Sequence, residues 1–584
     1  MAPYSATSQP VAPADLLLLS TVPFESIPLA TSLNTVYTKQ SLLDQGKRWD
    51  NLAIAFKDHF NVPLQKISRA PGRVNVIGEH IDYCGFSVLP AAIERDVLVA
   101  FAVPEASDAL PQTVPGSTTF HLANLDPAFT PTELQVDLLG DGTDLPMRQV
   151  HHWSNYFIAG TKGMLEYLHE HPASTPLPPP PPHVFVMITG SVPVGSGLSS
   201  SAAITTASVV TILELSGRRD GEEKIGRRAV TNVAIESERL VGVNSGGMDQ
   251  SASVFSQPLN LLHIKFIPSL LAIPIPLPQT TPALSFVIAN TLITSSKALT
   301  AKFHYNLRVV ETLLGARLLA HHLNIPIPSS ALGEKPLTYK VLIDTYFNST
   351  PSAPGPQQIS SDNVPEKRQG SVPTVPALPC SPLAPVDEKN MHEIKLMLGI
   401  AATALGGPGM EDGMTWEQVA KKLGVDRDEL EKEVVGDQEV EPVGGKLKIW
   451  TRARHVLSEA LRVFQFKDLI KGAPDGCTTL LPALGELMNE SQASCRDDYE
   501  CSCPEINEVV ELALKNGALG SRVTGAGWGG ATVSLVPEPE VPAFIKALKE
   551  GYYAKRFPNL TQNELDDACF ATKPEAGACL FVQT

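Results

Sequence analysis

The sequence predicts an α/β or α+β protein with two sheet-bearing domains. Three features predict it: a chain of 584 residues, too long for one compact core; a globular composition, 43% hydrophobic and 18% charged; and strand and helix patterns interleaved over both halves. In order, "HVFVMI" (183–188) reads as a buried strand, and "SAAITTASVVTILELSG" (201–217) as a helix closed by glycine. "ALSFVIANT" (283–291) is another strand, followed by the helical pattern "YNLRVVETLLGARLLAHHL" (305–323). Over 506–536 the chain gives helix, glycine turn, strand, glycine-rich turn and strand. Two proline-rich stretches, 171–183 and 349–390, interrupt this order. Proline removes a backbone donor and fixes φ, so both are expected as surface insertions outside sheet and helix interiors. No short-period repeat is visible.

Charge narrows the partners. With 62 acidic against 46 basic side chains the net charge is -16, and its long-range field repels nucleic-acid backbones and anionic lipid. Neither nucleic acid nor membrane is an expected partner. "LLLL" (16–19) is too short to span a bilayer and no Lys or Arg precedes it, so a cytoplasmic protein is expected. Eight cysteines in so long a chain do not make a disulfide framework. Cys495, Cys501 and Cys503 lie close in sequence, but no fourth Cys or His stands near them at zinc-site spacing. They are read as buried or half-buried thiols.

Four stretches concentrate chemistry. "GSVPVGSGLSSSAA" (190–203) lacks the Gly-Lys-Ser/Thr ending of a P-loop, yet Gly195 and Gly197 let the chain curl tightly before a helix. The unpaired amides and dipole at that helix start favour an anion, and serine hydroxyls can bond phosphate oxygens or a magnesium ion. Taken alone, such a turn equally well caps a helix. "APGRVNVIGEHIDYCG" (70–85) supplies Arg73, Glu79, His80, Asp82 and Tyr83, a polar density suited to a sugar's hydroxyls or to surface ion pairs. "SERLVGVNSGGMDQ" (237–250) places Asp249 after a Gly-Gly turn and Glu238 on a helical segment, one acid for a metal and the other for a nucleophile. "TGAGWGG" (524–530) is a hairpin-like turn whose backbone can approach a ligand.

"GRVNVIGEHIDY", "PVGSGLSSSAA" and "GAGWGG", in this order, resemble the three motifs of the galactokinase branch of the GHMP small-molecule kinases. The similarity runs from about residue 49 onward in the fungal style, with the proline-rich insertions outside it. The resemblance implies a two-domain GHMP kinase fold: an N-terminal domain (40–285) with a left-handed βαβ unit carrying the nucleotide loop, and a ferredoxin-like C-terminal domain (286–584) holding the insertion at about 349–390. It further implies ATP and galactose as substrates, Mg²⁺ as cofactor, and a regulatory protein partner as in fungal galactose sensing.

Residue by residue, the resemblance places Arg73 near the transferred phosphoryl group and the sugar O1, and Glu79, His80 and Asp82 on galactose hydroxyls. Asp249 matches the catalytic aspartate, Ser245 and Gly246 the sugar-contacting turn before it, and Tyr305 a tyrosine on the sugar. Gly195, Gly197, Ser199 and Ser200 match the nucleotide cradle, and Ser295, Ser296 and Lys297 a further nucleotide contact. Glu238 matches the acidic Mg²⁺ ligand, with Ser199 or Ser200 as its hydroxyl companion. Ser245 and Ser296 depart from the family, where fungal relatives often show Asn. N-acetylgalactosamine kinases share the first motif. A fungal transcriptional inducer that binds galactose and ATP without catalysis also shares it, but such sensors lack two residues after the serine run. Here Ala202 and Ala203 are kept, so an active galactokinase, phosphorylating the C1 hydroxyl, is expected.

Overall fold

The computed structural model describes residues 25–39, 41–105, 116–147, 152–175, 178–242, 246–293, 300–328, 336–349, 385–436 and 438–582. Seven strands make the first sheet: β1 (Leu29–Ala30), β2 (Lys66–Ile77), β3 (Leu89–Ala102), β4 (Thr118–Asn124), β5 (Thr132–Val136), β6 (His183–Gly190) and β13 (Cys579–Val582), in the order β1-β13-β2-β3-β6-β4-β5. Within it β4 and β6 run parallel, joined through β5 and the helix α2 (Ser154–Glu170). Alternation along β3 makes both faces apolar. Leu98, Ala100 and Ala102 pack with Trp49, Leu52 and Phe56 of α1 (Leu42–Phe60), while Val97, Val99 and Phe101 join the main core with Val209 and Val210 of α3 (Ser200–Leu215). Residues 49, 52 and 56 recur at helical spacing, which is why α1 presents a single stripe to the sheet. The helices α4 (Arg227–Arg239) and α5 (Met248–Phe255) follow, then the two-stranded ribbon β7 (Asn260–Lys265) and β8 (Leu271–Pro276).

The second sheet is antiparallel throughout, β10 (Gly520–Thr524), β11 (Ala531–Pro537), β9 (Leu284–Asn290) and β12 (Cys569–Thr572) in that order. With helices between β9 and β10 and again between β11 and β12, it is the β-α-β-β-α-β arrangement of a ferredoxin-like domain. Val287 and Ala289 of β9 pack with Val509 and Ala513 of one helix and Phe544 and Leu548 of another; Phe286 and Ile288 turn into the main core. The first helical connection is long: α6 (Tyr305–His322), α7 (Tyr339–Ser349), α8 (Pro385–Ala404), α9 (Trp416–Leu423), α10 (Arg427–Val435), α11 (Ile449–Gly472), α12 (Leu480–Asp497) and α13 (Pro504–Lys515). None of the described helices is long and apolar enough to cross a membrane.

Two sequence expectations are corrected or sharpened here. The end of the 349–390 stretch is not a loop, because α8 starts at Pro385. At the first helical position proline's missing N–H is no loss, and Asp387 and Glu388 in the first turn suit the helix dipole. Residues 350–384 of that stretch lie outside the described residues. In the other stretch, proline still serves the sheet as an acceptor: the Pro182 carbonyl takes the N–H of Thr119 at 2.9 Å, and the Pro181 carbonyl the hydroxyl of Thr118 at 2.7 Å.

The two sheets meet along a seam. Asn75 N–H of β2 donates to Thr524 Oγ1 of β10 at 3.0 Å, and the same hydroxyl lies 3.1 Å from the Asn75 carbonyl. Just beyond, the turn after β10 presses on the turn before α3. A Cβ on Gly525, whose φ is +83°, would stand 2.4 Å from the carbonyl oxygen of Gly197. The chain also crosses back: β13 pairs with the first part of β2, and the residues before it donate to α5, Ala578 N–H to the Ser253 carbonyl at 2.6 Å and Gly577 N–H to the Ser256 carbonyl at 2.8 Å. Gly525→Ala is expected to destabilise the protein by about 1–3 kcal/mol through strain and contact, read as a lower midpoint of thermal unfolding; an unchanged midpoint would mean that the seam yields.

Candidate active site

Arg73 is the hub. Register shifts on both sides of it, between Pro71 and Arg73 and between Asn75 and Ile77, turn its side chain out of the regular ladder of β2. The guanidinium is buried, and its fork engages two different elements. Nε and NH2 donate to Asp249 Oδ1 at 2.9 and 2.7 Å, and NH1 donates to the carbonyl of Gly197 at 2.5 Å. Asp249 stands in the first turn of α5, where the exposed amides favour a carboxylate. One side chain thus ties the acid of the third motif to the glycine turn of the second.

Asp82 and Tyr305 border the same place. A Cβ on Gly246 would fall 2.2 Å from Asp82 Oδ2, so only glycine lets that backbone pass so close to the carboxyl. Burial pushes the Asp82 carboxyl up to about 6, and the neighbouring charge of Asp249 pushes the same way. The Tyr305 phenol is held well above its ordinary value, by burial first and then by Asp82 and Asp249. Its ring packs against those of His80 and Tyr83, with centroids 5.8 and 5.6 Å away.

The turn after β2 spends much of its polarity on the protein itself. Glu79 accepts from Asn75 Nδ2 at 2.9 Å, from Arg522 NH1 at 2.9 Å and from Gly525 N–H at 2.7 Å. Burial raises its carboxyl to about 7, against the pull of Arg522 and Arg73. His80 is neutral, since burial lowers it to about 3. Its Nε2 lies 2.9 Å from the carbonyl of Ala526 and therefore carries the proton, leaving Nδ1 to accept from Tyr83 OH at 3.0 Å. Tyr83 in turn lies 2.5 Å from Tyr499 OH. Both nitrogens of His80 are engaged within the protein, and its buried ring lies among those of Tyr83, Tyr305, Tyr499 and Trp528.

The glycine turn before α3 has φ of +72° at Gly195 and +77° at Gly197, and Ser199 is left-handed as well, at +65°. Ser199 Oγ is buried with no hydrogen-bond partner, a hydroxyl fit for an oxygen-rich ligand or a cation. Ser200 is half-buried at the start of α3. Glu238, on α4, accepts from Ser201 Oγ at 2.6 Å and from Gln250 Nε2 at 2.5 Å. Ser245, Ser295, Ser296 and Lys297 lie outside the described residues. The strand end before the last three hangs from the third motif, the Ile293 carbonyl accepting from Gly530 N–H at 2.9 Å.

Sequence reasoning missed Ser201, Gln250, Tyr499, Arg522 and a stripe on α11. That stripe was visible as "RARHVLSEALR" (452–462), where Arg452, His455, Glu459 and Arg462 recur at helical spacing; all four are buried. The thiols of Cys495 and Cys501 are buried, that of Cys503 is half-buried, and all are free.

Three family models match the chain. The galactokinase galactose-binding signature covers residues 54–103, the GHMP kinases N terminal domain 155–257 and the GHMP kinases C terminal model 478–554. Among curated proteins, the galactokinase of Saccharomyces cerevisiae is 36% identical over 88% of this chain and 91% of its own length. That of Schizosaccharomyces pombe is 34% identical over 91% and 95%, and that of Homo sapiens 27% over 85% and 90%. Among solved structures, the Lactococcus lactis galactokinase complexed with galactose superposes with a TM-score of 0.53 at 21% identity, covering 91% of this chain and 99% of that one, a likeness of fold. With the three motifs gathered around Arg73 and relatives matched along nearly their whole length, the chain belongs to the galactokinase family of the GHMP kinases.

Proposed function

We propose that the protein transfers the terminal phosphoryl group of ATP to the C1 hydroxyl of galactose. It is a sugar kinase, and the observation that carries the reading is the fork of Arg73, held between Asp249 and the Gly197 carbonyl. Phosphoryl transfer needs its two substrates in line and the charge on the moving group compensated. The turn at Gly195 and Gly197, with the hydroxyls of Ser199 and Ser200, faces the nucleotide; Ser295, Ser296 and Lys297 add a second contact. Asp82, Glu79, the ring of His80, Ser245, Gly246 and Tyr305 border the sugar. Asp249 accepts the proton of the C1 hydroxyl, and Arg73 meets the charge that develops between the substrates.

The residues present fit a magnesium ion brought in with ATP. Glu238 and the hydroxyls of Ser199, Ser200 and Ser201 form an all-oxygen donor set, and Ser199 Oγ is buried without a partner. Among the described residues no group of three His, Cys, Asp or Glu side chains could hold a metal alone, so phosphate oxygens and water would complete the shell. When bound, the ion supplies charge neutralisation on the phosphates. The two domains divide just before β9, at 283/284 rather than the expected 285/286, with β13 lent back to the first. Cytoplasmic location and a regulatory protein partner extend the likeness to the fungal chains.

Release of ADP from Mg-ATP with galactose, N-acetylgalactosamine, glucose or mevalonate as acceptor tests the assignment; turnover with galactose is expected to dominate. Asp249→Asn is expected to lower kcat by about 10²–10⁴-fold, and a loss below tenfold would remove it as the base. For Asp82 the sign follows from its raised value of about 6: acid adds a proton there and converts an acceptor of sugar hydroxyls into a donor. The kcat/KM for galactose should therefore fall about tenfold per pH unit below 6, and Asp82→Asn should flatten that limb.

A further inference from the structure

The turn that carries the sugar-facing residues is an unfavourable conformation. Gly78 has φ of +111° and His80, with a side chain, has +60°. Glycine adopts such a φ without steric cost, but a left-handed histidine persists only where the surroundings hold it. The hold comes from outside the N-terminal domain. Glu459 of α11 is buried, and a single oxygen of its carboxylate, Oε1, accepts from Gly78 N–H at 2.9 Å, from Glu79 N–H at 3.3 Å and from Ser491 Oγ at 2.7 Å. Its other oxygen accepts from Arg462 NH1 at 3.1 Å, and Arg522 NH2 stands 3.8 Å from Oε1. One turn earlier on the same helix face, His455 Nε2 lies 3.0 Å from the carbonyl of Glu79. Successive amides converging on an anion form the kind of nest that binds phosphate elsewhere. Here a carboxylate of the chain fills it.

We propose that Glu459 is the positioning residue of the sugar turn: its carboxylate fixes the backbone of Gly78 and Glu79 and so sets where Glu79 and Asp82 stand relative to Asp249. The proposal rests on galactose being the sugar that this turn meets. Arg462, Arg522 and His455 hold the carboxyl at about 2, so it is an anion across the working range. Its hydrogen bonds go to the sugar turn, Ser491 and Arg462 and to no atom of the nucleotide turn. Loss of the charge should therefore separate the two substrates energetically. A residue that merely fills the core would weaken both together.

Wild type is measured first; if it turns over no galactose, the functional reading fails, and this proposal with it. With an active wild type, Glu459→Ala is expected to raise the KM for galactose about ten- to a hundredfold, while ATP affinity, measured by equilibrium titration without sugar, changes less than twofold. Glu459→Gln keeps the volume and one acceptor and should recover part of the loss. A galactose KM within twofold of wild type in folded Glu459→Ala, or equal weakening of both substrates, overturns the proposal while leaving the kinase reading intact. Should the alanine variant not fold, Glu459→Gln and Ser491→Ala decide: a galactose KM raised at least threefold with ATP affinity unchanged supports the role, and any other result overturns it.

Discussion

A guanidinium with both arms of its fork occupied governs the geometry of this protein. Arg73 leaves a strand, grips a carboxylate at the start of a helix and reaches a carbonyl in the turn before another helix. Three segments far apart in sequence are thereby set at fixed distances. A lysine would offer one compact charge with three rotatable donors in place of five fixed in a plane, and could not hold both partners at set angles. The rest of the site makes this burial tolerable. Asp249 supplies the countercharge, the first turn of α5 supports Asp249, and the bare backbone of Gly246 gives Asp82 room beside it.

The same economy governs the seam between the sheets. Arg522 is fully buried on β10 and donates across to Glu79 and to the carbonyls of Asn75 and Val76 on the other domain. Burying such a pair costs desolvation that its attraction only partly offsets, so the pair is weak evidence for stability. What it does contribute is direction, because a buried charge admits few geometries that satisfy it. Glu79, Arg522, Glu459 and His455 together leave the sugar turn one way to sit. The turn is therefore held by ionic parts that a packed apolar wall could not orient.

Much of this was legible in the chain. Arg73, Asp82, Asp249 and the two glycine turns announce themselves because polar groups and glycine are dense over a few residues, and the strands and helices around them follow strong periodicity. The hydrogen bond from Ser201 to Glu238 had no signal of its own, since a run of three serines at a helix start does not say which of them faces α4. Glu459 was passed over because a periodicity read from apolar residues takes a charged position for a solvated one. Pro385 was taken for loop because a proline-rich run hides the one proline that opens a helix. The place of β13 beside β2 had no local signal, for strand partners are chosen by long-range packing.

That last pairing bears on how the protein is made. Arg69 of β2 bonds the carbonyl of Gly577, 508 residues further on, and the same late segment fastens α5, the helix that carries Asp249. A ribosome delivers the early strands long before the segment that completes them. The nascent chain therefore waits with one edge of β2 unpaired along its first part, and Asp249 comes under its final restraint only after residues 577–582 have been made.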